Sequence, residues 1–283
     1  MIIGFLSKKW KERIRIGTLS IIIILGSIPF LIPLVWLIST SLKIPGQIFT
    51  YPPKWIPSPI AWRNYIDVFI NMKFFGYFKN TLIITASSMI GMILSSSLIA
   101  YGFARIRFFG SRTLFLLLLS TVMLPPQVTM IPVYILFSKL NWVNTPLPLI
   151  VPAFFGYAFY VFLLKQFFHT IPTELEEAAR IDGCSTFGIY WRIVMPLCKP
   201  ALAAVAIFQF QAAWSDFMNP LIYLSSEEKK TLALGLQNFL SVHGGEWHLL
   251  MAASTLMVLP VIIVFFTAQR YFISGVVLSG IKG

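Results

Sequence analysis

The stretch Glu176-Glu177-Ala178-Ala179-Arg180-Ile181-Asp182-Gly183 is a polar island between two long apolar segments, 140–164 and 201–224. The flanking segments decide the fold class, because each is long enough for a membrane-spanning helix of about 20 apolar residues. Charged side chains are costly inside a bilayer. The island is therefore predicted to lie in a loop outside the membrane, where it faces water or a partner protein.

The composition of the whole chain agrees with a polytopic membrane protein. Of the 283 residues, 57% are hydrophobic and 11% are charged, and the mean hydropathy is +0.80, whereas soluble domains carry about 25% charged residues. The formal charge of +12 does not indicate nucleic-acid binding, because the basic residues lie at the ends of apolar segments, where they orient helices. Cys184 and Cys198 are predicted to be free thiols, since both fall in a region assigned to the cytosol.

Six apolar windows predict six transmembrane helices in an all-α fold, the fifth window being interrupted by Asp216. The first window follows the basic cluster of residues 8–15. It is longer than the roughly 7–15 residues of a signal-peptide core, so we predict an uncleaved first helix. The windows are 16–42, 80–104, 113–138, 140–164, 201–224 and 247–269.

The distribution of lysine and arginine predicts the orientation in the membrane. Most of the 22 basic residues lie on the cytoplasmic side if both termini are cytoplasmic, as the positive-inside rule requires. The loop 165–199 is then cytoplasmic, and the segment 43–79, rich in proline and tryptophan, lies outside. Two interpretations of this outer segment stay open: an ordered loop that receives a soluble partner, or an amphipathic segment on the membrane surface.

Small residues recur at four-residue spacing in the second window, as in Gly91 with Ser95 and Ser96 with Ala100. Such spacing permits close helix packing. The packing can lie within the chain or across an interface with a second copy or relative, and the sequence does not distinguish the two.

The cytoplasmic loop has the start and stop signals of a helix–turn–helix elbow. Pro172 suits the first turn of a helix over 173–181, and acidic residues in that turn favour the positive end of the helix dipole. Gly183 is placed to end this helix, and Ser185 or Thr186 can cap a second short helix. The paired alanines of the first helix leave one side small, so another protein's backbone can approach closely.

This loop resembles the EAA loop of ATP-binding-cassette importer permeases, through Glu177-Ala178-Ala179, Asp182-Gly183, Phe187, Ile193, Pro196 and Pro200. Further motifs resemble the maltose-type, carbohydrate-uptake branch, and the resemblance covers nearly the whole chain. Cys184 and Ser215 depart from the family pattern, which more often has alanine and asparagine there. The further motifs are Pro52-Pro53-Lys54-Trp55 with Asn64-Tyr65, Asn80-Thr81-Leu82, Trp214-Ser215-Asp216-Phe217 with Pro220-Leu221, residues 231–235, Pro260, Gln269-Arg270, Gly275 and the C-terminal run from Gly280 to Lys282-Gly283.

The resemblance implies the type I importer permease fold and three regions of the chain. Residues 1–75 hold the cytoplasmic tail, the first helix and the outer loop. Residues 76–270 form the permease domain, with the coupling loop at about 165–199. Residues 271–283 form a cytoplasmic tail that can reach toward the ATPases.

The resemblance also implies a function in the cell membrane, the translocation of a sugar or related polyol, and a set of partners. These are a second homologous permease, two cytosolic ABC ATPase subunits, an extracytoplasmic solute-binding protein and membrane lipid. ATP is bound by the ATPases, so this chain is expected to carry no cofactor and no catalytic or metal-binding residue. The residues implied to couple the chain to the ATPase are Glu176, Glu177, Ala178, Ala179, Asp182 and Gly183.

Asp216 is the carboxylate within a predicted span, where ionisable residues are often functional. With Trp214 and Asn219 it is predicted to line the solute pathway, offering a stacking face and hydrogen bonds. The alternatives are a buried polar bond and a position near the outer interface. The rival function is an ion-gradient-driven secondary transporter, which favours several intramembrane carboxylates in matched halves. An intramembrane enzyme would need converging acid–base groups.

Two other motifs are similar to a metal-binding motif and a nucleotide-binding motif, but neither matches its pattern completely. The run His243-Gly244-Gly245-Glu246-Trp247-His248 is not a zinc HExxH motif, and we expect a loop leading into the sixth helix. The C-terminal segment 275–283 approximates a phosphate-binding loop, but Lys282 is displaced by one position. We therefore expect neither a metal nor a nucleotide site.

Overall fold

The computed structural model describes residues 8–240 and 245–277, with side chains for 12–240 and 245–269. Over these residues the secondary structure is helical and no strand is present. The helices are α1 (Lys8–Ser41), α2 (Arg63–Asn71), α3 (Phe74–Arg105), α4 (Ser111–Ser120), α5 (Pro126–Lys139), α6 (Leu147–Ile150), α7 (Ala158–Phe168), α8 (Glu174–Ile181), α9 (Thr186–Ile189), α10 (Met195–Leu197), α11 (Lys199–Trp214), α12 (Met218–Tyr223), α13 (Leu232–Gly235) and α14 (Trp247–Val277).

The predicted windows correspond to helices that can cross a membrane. Four helical stretches in the described part of the chain are long and apolar enough, and two bent pairs raise the number to as many as six. Each of the six predicted windows overlaps one of these. The four single stretches are Glu12–Ser41, Phe74–Arg105, Leu147–Phe168 and Trp247–Gln269, and the bent pairs are Ser111–Met123 with Pro126–Lys139 and Thr186–Leu197 with Lys199–Trp214.

The third window is not the continuous helix that its apolar length predicts, because the chain bends by 100° between its two halves. Leu124 and Pro125 adopt extended conformations at the bend, with ψ values of 117° and 133°. A proline ring disfavours the helical conformation of the residue before it, and here two prolines follow each other. Pro126 then occupies the first turn of α5, where its missing N–H costs nothing.

The chain divides into two compact units. The first contains the described residues up to Asn71 together with the described part of Asn238–Leu256, and the second contains Met72–Gln237 and the described residues from Met257 onward. The boundary at Asn71 lies a few residues before the predicted boundary at 75. The assignment of the described part of residues 238–256 to the first unit is a long-range association that local sequence patterns do not reveal.

In the second unit, α3 is the central helix and packs against α7, α11 and the 3₁₀ turn Val151–Phe155. Small residues on α3 allow this close approach: a Cβ at Gly91 would lie 2.6 Å from the Phe154 ring. The Ser95 hydroxyl donates to the Ala153 carbonyl at 2.9 Å. The small-residue spacing of α3 therefore serves packing within the chain at Gly91 and Ser95.

The N-terminal end of α3 holds the segment that contains α13. The Asn80 side-chain amide donates to the Glu228 and Lys230 carbonyls at 2.7 and 3.0 Å. The Thr81 hydroxyl accepts the Leu232 backbone N–H at 2.8 Å. Gly235 lies so close to α3 that a Cβ there would be 2.4 Å from a Tyr77 ring carbon, so this position requires glycine.

In the first unit, the end of α1 is fastened to the segment that follows it. The Asn64 side-chain amide donates to the Ser41 and Lys43 carbonyls at 2.8 and 2.9 Å. The Lys43 ammonium lies 3.8 Å from the centre of the Trp36 ring, and Trp36 meets Trp55 edge-to-face at 5.2 Å. This segment therefore packs against the end of α1.

Gly235→Ala is expected to lower the thermal stability of the detergent-solubilised protein, because the added methyl group would overlap the Tyr77 ring. Overpacking of this kind costs about 1–3 kcal/mol. The matched control is Gly76→Ala on α3, where a Cβ has no neighbour within 4 Å. Stability is measured by size-exclusion chromatography after heating, and equal midpoints for the two variants would contradict the close approach.

Candidate functional site

The first arm of the elbow is α8, an eight-residue helix, Glu174–Ile181. Three glutamates lie in its first turn and Arg180 lies in its last, and this placement favours both ends of the helix dipole. The structure confirms the predicted helix to within one residue.

Gly183 ends α8 in a left-handed conformation, with φ of +83°. The Gly183 N–H donates to the Arg180 carbonyl at 3.0 Å, and the Cys184 N–H donates to the Ala179 carbonyl at 2.9 Å. This pair of bonds is the Schellman motif, which glycine favours because a side chain costs free energy at positive φ. A Cβ at Gly183 would have no neighbour within 4 Å, so the turn is open on its outer side.

The second arm begins at Ser185, whose hydroxyl accepts the Gly188 N–H at 3.1 Å and caps α9. Of the two predicted caps, Ser185 is therefore the one in use. A π-helical turn, Tyr190–Val194, joins α9 to α10. The chain then bends by 79° into α11.

The elbow has an inner and an outer face, and the predicted coupling residues divide between them. Glu176 and Ala179, three positions apart on one side of α8, are buried. Ala179 belongs to the hydrophobic core, so its small side chain packs within its own chain rather than against another protein. The coupling residues on the exposed side are Glu177, Ala178, Asp182 and Gly183.

Large apolar side chains are also exposed on the outer face of the elbow. The exposed fraction is 87% for Ile181, 66% for Phe187 and 52% for Trp191. Apolar groups clustered beside charged residues such as Glu177 and Asp182 are typical of a protein-binding surface.

Glu176 is held on the inner face by Arg105, the last residue of α3. Arg105 Nε lies 2.6 Å from Glu176 Oε1, and Arg105 Nη2 donates to the Phe168 and Ile171 carbonyls at 2.8 and 2.7 Å. The Tyr101 hydroxyl donates to Glu176 Oε2 at 3.4 Å. Sequence reasoning missed this contact, because Arg105 was interpreted only as a residue that orients a membrane helix.

Other basic groups lie near this ion pair. The Lys165 ammonium lies 3.7 Å from the centre of the Phe115 ring. Burial, and then the charges of Lys165 and Arg105, lower the pKa of His169. The lowered pKa favours the neutral form of His169.

A second candidate site is a cavity of about 880 Å³ in the second unit. Its wall includes Asp216 and Asn219, two of the three predicted pathway residues. Polar side chains contribute part of the lining and the rest is apolar or aromatic, and no lysine, arginine or histidine is among the described residues of the wall. The polar lining residues are Tyr157, Gln209, Asp216, Asn219, Tyr223 and Thr231, with the Trp142 indole.

Trp214 does not line this cavity, in contrast to the prediction. Its side chain is buried, with 2% exposed, and its indole N–H donates to the Met257 carbonyl at 3.0 Å. The ring stacks on Phe210 at 5.4 Å and meets Phe78 edge-to-face at 5.8 Å. Trp214 therefore packs α11 against α3 and α14, because its position at the end of α11 turns it away from the cavity.

Asp216 combines a cavity position with a local structural bond. Its carboxylate accepts the Asn219 backbone N–H at 3.2 Å and the Asn219 side-chain amide at 2.8 Å. These bonds turn the chain between α11 and α12, which interrupts the fifth window as its sequence predicted. One carboxylate therefore lies at the cavity in a fixed orientation.

The two incomplete motifs noted in the sequence fall partly outside the described residues. No group of three or more His, Cys, Asp or Glu residues there can hold a metal ion, and His243 and Gly244 lie outside the described residues. Residues 278–283 of the phosphate-loop-like segment also lie outside them. Cys184 and Cys198 are free thiols.

The profile of one protein family matches most of the chain. Residues 87–277 match the family described as "Binding-protein-dependent transport system inner membrane component". This chain belongs to that family. The permease is accordingly a multi-pass inner-membrane component of a transport system, and the predicted membrane localisation is confirmed.

Sequence relatives of the permease are transport proteins for oligosaccharides. It is 37% identical to the arabinooligosaccharides transport system permease protein AraQ of Halalkalibacterium halodurans, over 80% of this chain and 81% of that protein. It is 34% identical to the melibiose/raffinose/stachyose import permease protein MelC of Bacillus subtilis, over 95% and 99% of the two chains.

The fold of the permease matches a solved importer structure. A bacterial ABC transporter involved in the import of the acidic polysaccharide alginate contains a chain with a TM-score of 0.80 and 23% identity, over 95% of this chain and 99% of that one. The likeness confirms the ABC importer permease fold that the sequence predicted. A transport permease fold also agrees with the expectation that this chain is a translocation subunit rather than an enzyme.

Proposed function

We propose that this permease is the membrane-spanning subunit of an ATP-driven importer for a neutral sugar or related polyol. The observation that carries the proposal is the elbow, whose inner face is fastened to its own chain while its outer face exposes apolar side chains. The relatives that transport arabinooligosaccharides and melibiose, raffinose or stachyose support the solute class.

The outer face of the elbow is the proposed contact with a cytosolic ATPase subunit. Ile181 and Phe187 would enter an apolar depression on that subunit, because burying such side chains supplies most of the binding free energy. Glu177 and Asp182 would contribute charge pairs at the rim, and the open turn at Gly183 would allow the partner to come close. Glu176 and Ala179 keep the elbow in place and do not contact the ATPase.

The assembly needed for import follows from this assignment. A second homologous permease completes the pathway, two ATPase subunits bind and hydrolyse ATP, and an extracytoplasmic binding protein delivers the solute. The family description, "binding-protein-dependent", supports the last of these partners. Both termini and the elbow would then lie in the cytoplasm, in agreement with the distribution of basic residues.

The cavity supports a neutral, hydroxylated solute. Tyr157, Gln209 and Asn219 offer hydrogen-bonding groups, while Trp142 offers an aromatic face of the kind that sugars stack on. Asp216 supplies a negative charge. The described residues of the cavity wall include no basic side chain that could neutralise an acidic solute. The cavity therefore favours neutral saccharides over uronates.

Uptake of a radiolabelled panel of neutral oligosaccharides, polyols and uronates tests the function. Cells with and without the gene are compared, and ATP is depleted while the proton gradient is maintained. Gene-dependent uptake that is lost on ATP depletion is the expected result. Uptake that survives ATP depletion but collapses with an uncoupler would refute the proposal in favour of a secondary transporter.

Gly183→Asp is expected to abolish uptake while leaving the permease in the membrane. Aspartate tolerates the left-handed conformation better than most residues, so the turn is kept and the added side chain projects into the proposed contact. The matched control is Gly110→Asp, since Gly110 also has a positive φ, +77°, and open space around its Cβ position. Uptake and membrane content are measured together, and equal uptake by the two variants would refute the coupling role of the turn.

Asp216→Asn is expected to weaken the discrimination against uronates about tenfold. A unit charge at about 6 Å is worth more than 1 kcal/mol at the intermediate dielectric of such a site. Gln209→Glu, which adds a carboxylate to the same wall, is the opposite variant and should sharpen the discrimination. Competition of uronates against neutral-solute uptake measures both, and a preference that neither variant changes would refute the role of Asp216.

A further inference from the structure

We propose that Arg105 is a positioning residue that locks the elbow to α3, so that movement of the elbow is transmitted to the wall of the cavity. This inference rests on the proposed coupling function of the elbow. It assigns to Arg105 and Glu176 a role in transmission, distinct from contact with the ATPase.

The burial of the pair is the first observation. Only 7% of the Arg105 side chain and 5% of the Glu176 side chain are exposed, and their nearest atoms are 2.6 Å apart. Charges are costly to bury unless each is paired and hydrogen-bonded. Here the two charges face each other at 2.6 Å, and the hydrogen bonds are made by other atoms of the same side chains, Arg105 Nη2 and Glu176 Oε2. Moving α8 away from α3 would separate the two charges inside the protein.

The number of chain segments that meet at one guanidinium is the second observation. Arg105 ends α3, Phe168 ends α7, Ile171 lies in the connection that follows, and Glu176 lies in α8. The guanidinium reaches all of them through the ion pair and two carbonyl bonds. Its planar set of donors can do this, whereas a lysine ammonium is a compact charge on a flexible stem.

The third observation is that polar contacts between the elbow and α3 are directional, whereas the apolar contacts are not. Most contacts of the elbow with the core are apolar, and apolar contacts are non-directional, so they permit sliding. Polar contacts to α3 fix its orientation. Glu176 pairs with Arg105 and accepts from the Tyr101 hydroxyl at 3.4 Å. The Tyr190 hydroxyl lies 2.7 Å from the Ser97 hydroxyl.

Helix α3, which the Arg105–Glu176 pair connects to the elbow, extends to the cavity. Ile84 and Met92 of α3 belong to the cavity wall. A displacement of the elbow that keeps the ion pair intact therefore carries α3 with it. If the pair is broken, the elbow can follow the ATPase while α3 stays behind, and ATP hydrolysis is uncoupled from transport.

The test uses the assembled importer, reconstituted in proteoliposomes with its partner permease, ATPases and binding protein. Arg105→Lys keeps the charge, and Glu176→Gln keeps the size and shape of the side chain. Each has a matched control on an exposed side chain nearby, Arg107→Lys and Glu174→Gln respectively. ATP hydrolysis, solute uptake and co-purification of the ATPase are measured for each complex.

The ratio of solute imported to ATP hydrolysed is expected to fall about tenfold in Arg105→Lys and in Glu176→Gln, as for residues coupled in one network. ATPase binding should remain, and both controls should keep the wild-type ratio. The double variant should lower this ratio no further than either single variant, because all three variants disrupt the same Arg105–Glu176 ion pair. Wild-type ratios in both single variants would overturn the inference.

Hydrogen exchange of the permease alone separates this inference from the proposed function. Exchange of the amides of 174–181 should increase in Glu176→Gln relative to Glu174→Gln, whether or not the complex transports. Unchanged exchange would overturn the locking role. A wild-type complex without ATP-dependent uptake would instead refute the proposed function, whatever the exchange result.

Discussion

The packing of α3 is the constraint on which the second unit depends. Its small residues let α7 and the turn Val151–Phe155 come close. At each of its two ends, polar side chains bind another segment of the chain. At one end Asn80 and Thr81 hold the segment that contains α13. At the other end Arg105 holds the elbow. Residues of α3 also line the cavity. The shape of the cavity therefore depends on the position of α3 relative to the two bound segments.

Polar groups are few in this apolar chain, and several of those described bind across elements. In a medium with little water, an unsatisfied polar group costs far more than its bond contributes, so each contact fixes a geometry. Asp216 turns the chain between two helices, and Asn64 fastens the end of α1. Removing one partner of a buried ion pair such as Arg105–Glu176 costs about 3–5 kcal/mol, much of it from the charge left behind.

The two sides of the short helix α8 differ in their surroundings. The inner side of α8 belongs to the core of its own chain, and the outer side exposes side chains that the chain itself does not cover. The residues of the EAA-like motif are therefore not equivalent. Glu176 and Ala179 determine where the elbow is, while Glu177, Asp182 and Gly183 determine what it presents.

The sequence by itself determined the membrane class, the helical windows and the local anatomy of the elbow. These depend on local signals: apolar length, a proline at a helix start, Ser185 as a cap and Gly183 at positive φ. The 100° bend at Pro125 was also encoded locally, in two adjacent prolines within a window that apolar length alone predicts to be continuous. Local rules succeed here because their physical cause lies within a few residues.

Only the tertiary structure decided which side chains face each other across the chain. Arg105 and Glu176 are far apart in sequence, and no periodicity relates them. Trp214 and Asp216 are two residues apart in sequence, yet one is packed against Phe210 and the other lines the cavity. The end of α11 between them sets the direction of each side chain. That direction depends on the packing of α11 against its neighbours, which is settled by the shape of the whole unit rather than by any local pattern.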